Sequence, residues 1–112
     1  MTDRDKASAI LRAAADRIEP PGAWTQGAPA RTAFGAVLID PKQPWAKSWS
    51  AAGAISVASA DRWKKEMSAR AYLKLAVETD RLSDWNDAPT RTQQEVVAAL
   101  RRAADIAEGR GE

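Results

Sequence analysis

The chain has 112 residues, 17 of them basic and 15 acidic, for a net charge of +2; that is one domain with one modest core, and too small an excess to argue for a nucleic-acid partner. Cysteine and histidine are both absent, which excludes disulfides, thiolate chemistry and imidazole as base or metal ligand. With 45% hydrophobic and 29% charged residues the composition is that of a globular protein, and no apolar run nears the roughly 20 residues of a membrane helix; the start "MTDRDKASAI" carries no signal-like apolar stretch, so the expected location is cytoplasmic.

Residues 3–19 read as an amphipathic helix capped by Thr2 or Asp3, with Ala7, Leu11, Ala14, Ala15 and Ile18 on one face. Pro20 and Pro21 end it. Residues 20–44 are rich in Gly and Pro. "AVLID" (36–40) is the credible strand there, and a turn at Gly35 makes a short β-hairpin available. "WAKSWSAAGAISVASA" predicts a helix from about Trp45 or Ser48, with Trp45 and Trp49 stacked at i and i+4 as core. Gly53 within it costs about 1 kcal/mol relative to alanine, a cost that close approach of another backbone would justify.

Asp61 is the expected cap of a following helix. Its apolar stripe reads Met67, Ala71, Tyr72, Leu75 and Ala76, bordered by Arg62, Lys64, Lys65, Arg70 and Lys74. The last helix has the clearest start: Thr92 to Glu95 fits a capping box. Val96, Val97, Leu100, Ala103, Ala104 and Ala107 follow on one face, and Gly109 and Gly111 close it. The fold class is therefore mostly α: a single compact domain over 1–112, of four or five helices, with a loop-rich section near 20–44.

The stretch "SDWNDAPTRTQQE" (83–95) admits two readings. As a clasp, Leu82 and Trp85 plug the helical core, Asn86 and Asp87 shape a turn, and Arg91 pairs with Asp84 or Asp87. As a site, Trp85, Asn86, Asp87, Arg91 and Thr92 join Trp24 and Gln26 of "PGAWTQGA" in one pocket. That pocket would offer aromatic faces, amides and a guanidinium beside a helix N-terminus, which together suit an anion. Asp84 and Asp87 match neither an EF-hand loop nor an established catalytic pair, so neither metal nor cofactor is expected.

Three functions follow, in order. The first is a non-catalytic binding module for a small anionic, nucleotide-like ligand or a protein partner. The second is a nucleic-acid-binding helical domain using Arg62, Lys64, Lys65, Arg70 and Lys74. The third is a carboxylate-based enzyme. Alanine-faced first and last helices would also favour a homo-oligomer.

"LRAAADRIEPPGAWTQGA", "WSAAGAI" and "WNDAPTRTQQEVVAALRRAA" together resemble an uncharacterised small-protein family of high-GC bacteria and their phages. Its pattern has a W-T-Q-G-type loop, a W-C-x-x-G-A helix and a W-N-D-x-x-x-R-T motif, and the likeness covers most of the chain. This chain has Ser50 where the family pattern has cysteine. The resemblance implies a bacterial or phage accessory protein and brings no activity with it.

Overall fold

The computed structural model describes residues 6–112, so the expected caps Thr2 and Asp3 lie outside the described residues. Helix α1 (Ala7–Ile18) is followed by strands β1 (Ala30–Thr32), β2 (Val37–Leu38) and β3 (Ala46–Trp49). Helices α2 (Ala51–Ser59), α3 (Trp63–Val77), α4 (Leu82–Asn86) and α5 (Gln93–Gly109) complete a mostly helical domain.

Helices α1 and α5 form the spine. Ala7, Leu11, Ala14, Ala15 and Ile18 of α1 are buried, as are Val96, Leu100, Ala103, Ala104 and Ala107 of α5. The alanine faces expected to drive self-association are thus turned into the core of this chain. Small side chains let the two helices approach closely, and exposed ion pairs flank the seam: Arg12 with Asp105 and Glu108, Arg101 with Asp16 and Glu19. The Gln93 side chain donates to the carbonyls of Ile18 (2.6 Å) and Pro20 (2.7 Å). It thereby satisfies the C-terminal end of α1, where the two prolines stop the helix.

The loop-rich section folds into a three-stranded antiparallel sheet of order β2-β1-β3. The hairpin expected around Gly35 is present, and Gly35 has φ +85° in its turn. The third strand was not expected. It replaces the start of the predicted helix at Trp45 or Ser48, because Ser50 is the N-cap: its hydroxyl accepts from Gly53 N at 3.0 Å and α2 begins at Ala51. Trp45 and Trp49 are therefore not a helical core pair. Trp45 is 56% exposed, while Trp49 is half-buried, donates through Nε1 to the Pro41 carbonyl at 3.0 Å and carries the Arg17 guanidinium over its ring.

Gly53 has the reason anticipated for it. A Cβ built there would stand 2.0 Å from the Pro29 carbonyl oxygen, so glycine alone lets α2 press against the loop entering β1. Two expectations for α3 are corrected. Asp61 does not cap it; Asp61 takes a left-handed backbone (φ 68°) and its carboxylate pairs with Lys42 at 2.9 Å. The buried face is Ala69, Tyr72 and Leu73, with Ala76 partly buried, a rotation of the expected stripe that leaves Met67 and Leu75 outside. Among the described residues no helix is long and apolar enough to cross a membrane.

Candidate functional site

The two tryptophan-bearing loops are each other's partners. Helix α4 ends on Asn86, which is 2% exposed. Its Oδ1 accepts from Trp24 Nε1 at 2.8 Å and from Ala51 N at 3.0 Å, and its Nδ2 donates to the Thr25 carbonyl and to Asp87 Oδ1, both at 3.0 Å. A primary amide has two donors and two acceptor lone pairs, and all four are used. Gln26 Nε2 donates to the carbonyls of Asn86 (3.0 Å) and Ala88 (2.9 Å), which lie at and just beyond the end of α4. Gly27 N donates to Asp87 Oδ1 at 2.9 Å. Backbone bonds of Ala23 and Thr25 with Trp49 fasten the same loop to β3.

Trp24, Gln26, Asn86 and Asp87 are thus brought together, but most of their polar atoms face one another. Trp85 and Arg91 belong to a different concavity of about 370 Å3, shared with Glu78, Glu95 and Arg102, and Thr92 is the N-cap of α5. Arg91 pairs there with Glu95 at 3.0 Å, not with Asp84 or Asp87 as expected. The pairing follows from the helix: Glu95 lies one turn on, in the first turn of α5. Arg91 Nε also donates to the Trp85 carbonyl at 2.9 Å, and its guanidinium lies 4.3 Å over the Trp85 ring.

The capping box is complete. Thr92 Oγ1 accepts from Glu95 N, and Thr92 N donates back to the Glu95 carboxylate. Hydrogen bonds from Thr92, then from Arg91, hold that carboxyl below its ordinary range. Removing Arg91 forfeits one carbonyl bond, one ring contact and one half-exposed ion pair. Arg91→Ala is therefore expected to lower stability by about 1–2 kcal/mol, read as a modest fall in melting temperature.

The open polar surface lies on the other side of Asn86. A cleft of about 410 Å3 runs between the loops flanking the sheet and helices α2, α3 and α4, with Pro29, Ile39, Ser50, Ser56, Arg70 and Asp87 among its walls. The Arg70 guanidinium reaches Glu66 at 3.0 Å and Ser56 Oγ at 3.4 Å through one terminal nitrogen. Its Nε is buried and has no hydrogen-bond partner. A buried donor without a partner is uncommon and costs about 1–3 kcal/mol. The other basic side chains of the expected nucleic-acid face are dispersed. Arg62 turns back on the carbonyls of Ser59 and Ala58, Lys64 sits over the Trp63 ring, and Lys65 and Lys74 lie along α3.

Arg70 stands in the sequence as one cation among several on α3. The signal that separates it is spacing: Trp63, Met67 and Arg70 fall at i, i+4 and i+7 on a face otherwise charged. A family model described as a family of unknown function (DUF6197) matches residues 2–106. No curated protein and no solved structure matches the chain.

Proposed function

Starting from the membership of this chain in that family of unknown function, we propose that it is a non-catalytic binding module whose cleft at Arg70 takes an anionic group of its ligand. One observation carries this reading: the Arg70 side chain, about one-third exposed, lines the cleft and brings a guanidinium to it. A phosphate or carboxylate oxygen would meet the exposed part of that guanidinium, a planar donor set that favours arginine over lysine for such groups. Ser50 and Ser56 bring hydroxyls to the same walls. The volume is within the range of small-molecule sites. Of the residues predicted from the two tryptophan loops, Asn86 and Asp87 line the cleft, and Trp24 and Gln26 hold that turn from behind.

The test is a titration with inorganic phosphate, pyrophosphate and adenosine monophosphate, followed by NMR at the Arg70 Nε–H and the backbone amides of Ser50 to Ser56. Anion binding is expected to move those resonances in the wild type and to leave them in place in Arg70→Gln. Wild type and variant responding alike, or neither responding at millimolar anion, would overturn the proposal.

A further inference from the structure

The backbone between α2 and α3 is held in a conformation that its sequence does not favour. Only Ala60, Asp61 and Arg62 separate the two helices. Ala60 (φ 49°) and Asp61 (φ 68°) both take left-handed backbone. A residue with a Cβ adopts that conformation at a cost, and then ordinarily singly. Neither is glycine, the usual residue where a helix ends this way. Between Gly53 and Pro89 the chain has no glycine or proline, so nothing in the sequence bars a helix from running through the turn. The buried stripes also stay in phase across it: Ile55 and Ser59 of α2 precede Ala69 and Leu73 of α3 by about four helical turns. Helix α3 starts at Arg62 without a side-chain cap. In a continuous helix the carbonyls that end α2 and the N–H groups that open α3 would bond one another. What holds the turn closed is the Lys42–Asp61 pair at 2.9 Å and the Arg62 side chain on the Ser59 and Ala58 carbonyls.

We infer that this turn is a hinge through which two copies of the chain exchange halves. In the exchanged dimer Ala60 and Asp61 relax into right-handed helix, and α2 and α3 become one helix of about 40 Å. The first half of each copy then packs on the second half of the other. The partner is a second copy because only this chain carries the surfaces that fit. Helix α1 packs on α3 and α5, and α2 packs on α3 and α4. All of these contacts join one half to the other, so the dimer remakes them unaltered. The two states differ only at the hinges, which lose their strain and the Lys42–Asp61 pair, and where the copies meet beside them. Trp63 and Met67, 65% and 62% exposed in the first two turns of α3, are the apolar groups next to that meeting point. Short strained connections are the kind that invite such exchange. The cleft changes ownership with it. Pro29, Ser50 and Ser56 come from the first half, Arg70 and Asp87 from the second, so each cleft of the dimer is built by two chains.

The experiment is refolding of the full chain from denaturant at millimolar concentration, with mass measured by light scattering after chromatography. Wild type is expected to give monomer and dimer. Asp61→Ala removes the Lys42 pair and replaces a residue that tolerates left-handed backbone with one that favours helix. Ala60→Gly combined with Asp61→Gly makes the turn easy and the continuous helix costly. Each change is expected to shift a hinge about tenfold, or about 1.4 kcal/mol. A dimer opens two hinges, so its dissociation constant is expected to fall about a hundredfold in Asp61→Ala and to rise about a hundredfold in the double variant. Lys42→Gln leaves the hinge residues intact, guards against a folding defect in Asp61→Ala, and is expected to shift the balance the same way by less. Mixing differently isotope-labelled chains before refolding identifies the exchange itself: NOEs are expected between methyl groups of α1 in one chain and α5 in the other.

A clean monomer in wild type, Asp61→Ala and Lys42→Gln alike would overturn the inference. So would a dimer whose amount ignores the hinge substitutions. A dimer without NOEs between α1 of one chain and α5 of the other would replace exchange with contact through an exposed face. The exchanged dimer is also expected to survive dilution for as long as the halves take to separate, which requires unfolding. Immediate return to monomer on dilution would count against it in the same way.

Discussion

Asn86→Leu should be among the most damaging single substitutions in this protein. Leucine nearly matches the volume of the side chain and supplies none of its four hydrogen bonds. The Trp24 indole N–H, the Ala51 amide and the Thr25 carbonyl would each lose their partner at a position that is 2% exposed. An unsatisfied buried group costs about 1–3 kcal/mol. Partial access of water to the Thr25 side of the loop lowers the sum, so the expected loss is about 3–5 kcal/mol. For a domain of this size that corresponds to a melting temperature lower by about 15 °C or more. Trp24 fluorescence should change with it, since the indole loses its anchor. A variant that melts within a few degrees of wild type would show that the amide is not the clasp.

The second large effect is expected at Gly53. In Gly53→Ala the new methyl would stand 2.0 Å from the Pro29 carbonyl oxygen and 3.0 Å from its carbon. The obstacle is backbone on both sides, so no rotamer relieves it. Either α2 backs away from the loop, breaking the Ser50 N to Pro29 O bond, or the loop entering β1 shifts. Alanine returns about 1 kcal/mol of helix propensity, and overpacking of this severity outweighs it by about 3 kcal/mol. Gly109→Ala is the matched control. Nothing lies within 4 Å of its Cβ position, so the same exchange there is expected to be neutral or stabilising by up to about 1 kcal/mol. Equal chemical-denaturation midpoints for the two variants would contradict the close approach at Gly53.

Much of the fold was readable because its information is local. The apolar spacing in α1 and α5 spans three turns or more without interruption, and Thr92 and Glu95 announce a helix start by chemistry that needs no distant partner. Gly53 in a helical run was readable as a contact, though not as a contact with Pro29. What was not readable depends on pairing across the chain. Strand β3 exists because β1 offers it hydrogen bonds, and nothing in "WAKSW" distinguishes a strand edge from a helix turn. Helix α3 was misoriented because two overlapping stripes share Tyr72 and Ala76, and only the positions of α1, α2 and α5 decide between Leu73 and Leu75. The tryptophan motifs were recognisable as unusual. Their residues do meet, but a sequence does not say whether an amide will face a ligand or the indole of another loop. The cleft itself was hidden, since Arg70 differs from its basic neighbours only in where its Nε ends up.

The clasp also bears on how the gene can vary in length. Loops ordinarily accept added residues at small entropic cost, and a stretch as rich in Gly and Pro as 20–44 looks permissive throughout. It is not uniform. From Ala23 to Gly27 nearly every residue is spoken for by a partner at Trp49 or at Asn86 to Ala88, so one inserted residue would displace several partners together. The turn at Phe34, which is 99% exposed, has only its own hairpin to satisfy. Insertions, tags and natural length differences should therefore collect at the hairpin tip and avoid the loop before it.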